Sequence, residues 1–179
     1  MSVLDIAENS ARARASLVQI TIAIDTEADL MTLVIEDDGC GMTPEQVERV
    51  MDPFFTTRTT RKVGLGVPFL KEAAEAAEGS LTIESEVGKG TRDTATFRWS
   101  SIDRMPLGDI SATIQQLIVY HPDTDFLYTY SYNGASFSLD TREMREILGG
   151  VSLAEPEVAA YILEYLEENK RDIDGGNVD

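Results

Sequence analysis

The word Asp37-Asp38-Gly39-Cys40-Gly41-Met42 stands at the end of an apolar run, and its residue types suit the floor of a purine pocket. Adenine is set apart by its exocyclic amine, which needs a buried hydrogen-bond acceptor, and a carboxylate at the end of a core strand is a strong one. Asp37 fits that role, Gly39 and Gly41 let the backbone pass close to a base, and Met42 can pack against the ring. The same letters also spell an ordinary Asp-Gly turn, so the word alone leaves both readings open.

Phosphates call for backbone N–H groups and positive charge. Gly64-Leu65-Gly66 at the start of a helix offers the first together with the positive end of the helix dipole, and Arg58, Arg61 and Lys62 lie just before it. Neither a Walker loop nor the strand-then-glycine order of a dinucleotide fold occurs in the chain. Magnesium, the usual companion of a triphosphate, is a hard ion that takes oxygen ligands, and Asn9 supplies a neutral amide oxygen. Asp5, one turn earlier on the same helical face, is placed to orient or deprotonate an attacking water; Ser2-Val3-Leu4-Asp5 reads equally well as a capping box. Glu8 and Arg12, four residues apart, predict a surface ion pair.

These residues need elements to position them. Residues 3–17 are Ala-rich and free of Gly and Pro, which predicts an opening helix carrying Asp5 and Asn9. That helix opens within five residues of Met1, where helices fray, so a bracing partner or further upstream residues are expected. The β-branched runs 18–24 and 31–35 flank a polar turn and predict a strand pair that delivers Asp37. Thr43-Pro44-Glu45-Gln46 caps a short helix to about Met51, a polar basic stretch over 56–64 predicts a loop, and a helix is expected from Leu65 to Glu78. Strands 80–86 and 91–99 then join through Val87-Gly88-Lys89-Gly90. Beyond residue 100 the pattern predicts a helix over 110–120, a hairpin of 126–132 and 135–139 around Asn133-Gly134, a helix to Leu148, a last helix from Pro156 to about Lys170, and a frayed polar tail.

Composition sets the outer limits. The chain has 179 residues, 42% of them hydrophobic, enough for one ordinary core with a small appended lobe. A formal net charge of −17 repels phosphate backbones, so nucleic-acid binding is not expected. One cysteine, Cys40, excludes an intramolecular disulfide, and no apolar stretch reaches membrane-spanning length, which together predict a cytoplasmic protein with no membrane insertion.

Taken in chain order, the motifs resemble the GHKL superfamily of ATPases, the group of gyrase B, the large heat-shock chaperone, histidine kinases and MutL. Asp5-Ile6-Ala7-Glu8-Asn9-Ser10 resembles its Asn-bearing helix, and Asp37 to Met42 its Asp-x-Gly-x-Gly word. Asp52-Pro53-Phe54-Phe55-Thr56-Thr57-Arg58 is similar to the phenylalanine box of the kinase branch. Gly64-Leu65-Gly66-Val67 resembles the second glycine word, and Gly88-Lys89-Gly90-Thr91 the late hairpin.

The resemblance implies a Bergerat-type α/β two-layer sandwich over residues 1–100, a mixed sheet covered on one face by helices. Residues 101–179 are expected to form a small α+β lobe of unassigned role that docks a protein partner. It further implies that ATP or ADP binds with Mg²⁺: Asn9 on the metal, Asp37 with Gly39, Gly41, Met42 and Thr91 at the adenine, Gly64, Leu65, Gly66 and Val67 at the phosphates, and Phe55, Arg58 and Lys62 from the lid. Asp5 takes the place where hydrolysing members carry Glu, so turnover is expected to be slow. The only histidine, His121, precedes Pro122 and lies after the ATPase region, which does not suit a self-phosphorylating kinase. The expected activity is that of a stand-alone regulatory ATP-binding protein, either a protein kinase of anti-sigma-factor type or a slow ATPase. The alternative is a non-catalytic nucleotide-sensing module. The C-terminal half is also similar to stand-alone ATP-binding proteins found beside iron hydrogenase and NADH-oxidising subunits, which makes an accessory subunit of a redox complex part of that alternative.

Overall fold

The computed structural model describes residues 3–52, 54 and 66–178. Six strands form one mixed sheet in the order β3-β4-β2-β1-β5-β6. They are β1 (Leu17–Asp25), β2 (Leu30–Asp37), β3 (Leu81–Glu86), β4 (Gly90–Arg98), β5 (Asp125–Tyr132) and β6 (Ala135–Asp140). The helices are α1 (Val3–Arg12), α2 (Pro44–Met51), α3 (Gly66–Ala76), α4 (Ile110–Tyr120), α5 (Thr141–Leu148) and α6 (Pro156–Asp174). All strand pairs are antiparallel except β1 with β5, which run parallel across the long connection through α4.

Strict alternation in sequence decides which face is covered. In β1, Val18, Ile20, Ile22 and Ile24 are buried while Gln19, Thr21 and Ala23 are half-exposed. Register aligns these side chains into rows, such as Ile83, Asp93, Ile35, Ile20 and Tyr128 from β3 across to β5. The next row runs Ser85, Thr91, Asp37, Val18 and Phe126. A one-residue slip in any pairing would turn a whole strand's apolar set to the open face, so the register is strongly specified. The helices bring Ile6, Ala7, Leu70, Ala74, Ile114, Leu117, Ile162 and Leu166 to the same core.

The residues expected as a separate lobe extend the sheet that carries Asp37. β5 pairs with β1 over its full length, and the tip of the β5–β6 hairpin is tied to the β1–β2 turn where the Thr26 N–H donates to Asn133 Oδ1 at 2.8 Å. The reason lies in β1, whose edge away from β2 would otherwise be an unpaired run of buried backbone. At the start of β5, Thr141 donates to Asp125 and accepts from the Phe126 N–H, which anchors α5.

The expected frayed tail is instead packed. α6 continues to Asp174, which is buried; its carboxylate accepts from the Tyr130 hydroxyl and from Lys170, each at 2.8 Å, and from the Gly176 N–H. Lys170 also donates to the Val178 carbonyl. The tail is polar because its polar atoms bond one another, a possibility that composition alone does not distinguish from solvation. Burial by itself would raise the Asp174 carboxyl, but Lys170 and Tyr130 outweigh it and hold it below the usual carboxylate range. A depressed carboxyl stabilises the fold fully above its unfolded value and loses that contribution as pH falls through the folded one.

Asp174→Ala should therefore lower the unfolding free energy by about 3 kcal/mol in urea titrations near neutral pH, because it strands a part-buried ammonium and a buried hydroxyl. The deficit should shrink in strong acid, where the wild-type carboxylate is protonated as well. A loss under about 0.5 kcal/mol, the scale of an exposed ion pair, would show that this network is not holding α6 to the sheet.

Candidate functional site

The end of β2 meets three other backbones at van der Waals distance, and glycines make that possible. A Cβ on Gly90 would stand 2.0 Å from the Asp37 carbonyl oxygen, and one on Gly41 2.0 Å from that of Glu86. A Cβ on Gly39 would lie 2.7 Å from the Ala13 carbonyl oxygen, just past the end of α1. Gly41 and Gly90 also hold φ of +70° and +121°, which side chains disfavour. The loop after Asp37 is thus wedged between α1 and the β3–β4 hairpin, with the Cys40 N–H donating to Ala13 and the Gly88 N–H to Cys40.

Asp37 is 8% exposed and lies on the helix-facing side of the sheet, its Oδ1 accepting from the Gly39 N–H at 2.9 Å. Thr91 is directly opposite on β4, and its hydroxyl bonds that of Ser85 at 2.8 Å; Ser85 in turn donates to the Gly90 carbonyl and accepts from the Met42 N–H. This brings Asp37, Gly39, Gly41, Met42 and Thr91, expected at the adenine, to one end of the sheet. Ser85, which the sequence reading passed over, links them, and its alternation with Ile83 and Leu81 toward the helix side was the available signal. The neighbouring Asp38 takes a structural part: its carboxylate accepts from the backbone N–H groups of Ser16 and Leu17 and from the Ser16 hydroxyl, closing the start of β1.

α1 and α3 bring the expected metal and phosphate ends. Asn9 is half-buried and Asp5 exposed on α1, while Ile6 and Ala7 of the same helix are buried. Gly66 opens α3 so close to α1 that a Cβ there would touch Ile6 at 3.3 Å and Asp5 at 3.4 Å; Val67 follows, buried. Glu8 does not form the ion pair expected with Arg12. It binds His121, the C-cap of α4, at 2.8 Å, so α1 is braced by the helix that follows the β-sheet's first four strands. Phe54 is 80% exposed, its N–H bonded to Asp52. Phe55, Arg58, Lys62, Gly64 and Leu65 lie outside the described residues.

Asp93 was also passed over, although inward alternation with Thr91, Ala95 and Phe97 marks it as an acid facing the core. It is 9% exposed, diagonal to Asp37 on the same face, and its Oδ1 has no hydrogen-bond partner. Burial first, and the Asp37 charge second, push its carboxyl up to about 7. A raised carboxyl has the opposite linkage from Asp174: it costs no stability below the unfolded value and a growing amount as pH climbs to about 7.

Among the described residues no group of three or more His, Cys, Asp or Glu side chains could hold a metal ion, so magnesium at Asn9 would draw most of its ligands from phosphate and water. No helix among the described residues is long and apolar enough to cross a membrane.

Known proteins are similar to parts of this chain. A probable C4-dicarboxylate sensor kinase of Bacillus subtilis is 32% identical over 79 residues, 44% of this chain and 15% of that protein. The sensor protein kinase FleS of Pseudomonas aeruginosa is 36% identical over 109 residues, 61% of this chain and 26% of its own length. The chain therefore spans between 15% and 26% of these relatives' lengths. A crystal structure of full-length ShkA in complex with AMPPNP superposes with a TM-score of 0.45 at 22% identity, over 54% of this chain and 20% of that one. The family model for the histidine kinase-, DNA gyrase B- and HSP90-like ATPases matches residues 2–101, and the chain belongs to that family.

Proposed function

We propose that this chain binds ATP with Mg²⁺ in the cradle between α1, α3 and the end of β2, and that it acts as a regulatory ATP-dependent protein in the cytoplasm. The observation that carries the reading is Asp37, a buried carboxylate at a strand end, ringed by Gly39, Gly41 and Gly90 at positions where no side chain fits. Asp37 accepts from the adenine amine, Thr91 and Met42 line the base, and Asn9 ligates the metal. Gly66 and Val67 at the start of α3, with Gly64 and Leu65 before them, receive the phosphates; Phe55, Arg58 and Lys62 close over them. Bound magnesium supplies neutralisation of the phosphate charge and polarisation of the γ-phosphorus.

Within this chain His121 is hydrogen-bonded to Glu8 at the C-cap of α4, and the acceptor of a transferred phosphoryl group is a residue outside this segment, as in a kinase of the anti-sigma-factor type, or water. Asp5, being exposed on α1 beside Gly66, is the candidate for positioning the attacking hydroxyl or water. Its shorter reach than Glu favours slow turnover. One observation favours a second reading, in which nucleotide sets conformation without turnover. α5 and α6 flank an apolar groove over β6 lined by Leu139, Met144, Ile147, Tyr161 and Tyr165, with Ile147 and Tyr161 exposed. Such a surface suits a docking module or an accessory subunit of a redox complex.

Asp37→Asn should abolish MgATP binding in calorimetry, since the amide would turn a donor toward the adenine amine; unchanged affinity would remove the adenine assignment. Asn9→Ala should leave metal-free nucleotide binding in place while removing the gain that Mg²⁺ gives. For the choice between the readings, radiolabelled γ-phosphate release and transfer to co-purified proteins should be measurable and lost in Asp5→Asn. Intact binding with no turnover would favour the module.

A further inference from the structure

Asp93 is an expensive residue for the fold to keep. An acid among Ile83, Ile35 and Ala95 with one oxygen unsatisfied destabilises the sheet, and an apolar side chain of similar size there would be better tolerated. Alternation along β4 gives the side chain no other face to occupy. Its placement is also specific, one row deeper than Asp37 and diagonal to it, on the side where α1 and α3 close the cradle. Burial first, and the charge of Asp37 second, favour the neutral form of Asp93. Asp37 has an N–H donor from Gly39, whereas Asp93 has no partner at its buried Oδ1 to stabilise a charge. A carboxylate only accepts hydrogen bonds, whereas a neutral carboxyl donates one. Adenine presents the matching pattern, an amine that donates beside a ring nitrogen that accepts.

We propose that Asp93 is a second base-reading residue: while Asp37 accepts from the exocyclic amine, the neutral Asp93 hydroxyl donates to the ring nitrogen next to that amine, directly or through one trapped water. The proposal rests on the adenine assignment of Asp37 and adds to it a donor that the glycine words do not contain. It also makes nucleotide affinity fall with rising pH. Once Asp93 ionises, the donor is gone and a second anion stands beside Asp37.

The other charged groups nearby do not govern this behaviour. Glu36, Glu84 and Arg92 alternate to the opposite face of the sheet. The packed helices carry Asp5, Glu8 and Arg12 on α1, Glu45, Glu48 and Arg49 on α2, and Lys71, Glu72 and Glu75 on α3. Among the described residues, Asp37 is the charged group that acts on Asp93 appreciably.

The test is MgATP affinity from about pH 6 to about pH 8.5 in the wild type and in Asp93→Asn, which keeps a donor and cannot ionise. Protonation of the phosphates is common to both proteins and cancels in the ratio of their affinities. That ratio should fall by roughly 30-fold across the range, following a single proton lost near pH 7. At the acid end, one of the two analogues 1-deaza-ATP and 7-deaza-ATP should bind the wild type at least roughly tenfold more weakly than ATP does, and bind Asp93→Val no more weakly than ATP does. A ratio that is flat with pH, or full affinity for both analogues, overturns the role of Asp93. If MgATP binding persists and Asp37→Asn abolishes it, the adenine assignment survives that result. If the wild type binds no MgATP at any pH, the assignment itself fails and this proposal with it.

Discussion

The close approach of the Gly90 and Gly41 backbones to the carbonyls of Asp37 and Glu86 is the constraint on which the rest of the site depends. Each glycine leaves no room for a Cβ, so the β2 end, the loop behind it and the β3–β4 hairpin lock as one unit. That unit sets the depth of Asp37 and the position of Thr91. Through Gly39 and Ala13 it also sets where α1 ends, and therefore where Asn9 and Asp5 stand. Backbone atoms so tightly fixed have little conformational freedom left to lose, which is the condition the proposed nucleotide site needs.

Much of this was legible in the sequence because it follows from local rules. Thr43 caps α2 as read, in a capping box completed by Gln46, and α4 spans Ile110–Tyr120 as expected. The Asn133-Gly134 hairpin joins β5 and β6, and Asp140 caps α5. Motif order then carried Asp37, Gly39, Gly41, Met42 and Thr91 to one place. The rest depends on partners distant in sequence. Nothing near Glu8 announces His121, more than a hundred residues later, and nothing in the polar tail announces Tyr130. The separate C-terminal lobe was a reasonable reading of the change in character near Ser100, yet the parallel pairing of β5 with β1 is a non-local event that no local signal encodes.

Asp93 shows a different kind of limit. Its inward position could be read from alternation, but polar and apolar residues interleave along this strand, and an acid there reads as solvent-facing until the register with Ile35 and Ile83 is known. The buried acids of this chain also differ physically. Asp174 keeps its charge because an ammonium and a hydroxyl meet it, whereas Asp93 has burial and another acid for company. The first holds the fold together, and the second weakens it on the face proposed above for the nucleotide.

The most direct test of the central claim is a titration of the ¹⁵N-labelled chain with MgATP, followed through the backbone amide resonances. The account predicts the largest shifts at Gly39, Gly41, Thr91 and Asp93, with a second group at Asn9 and Gly66, and little change along α5 and α6. Shifts confined to the α5–α6 groove, or none at saturating nucleotide, would contradict it.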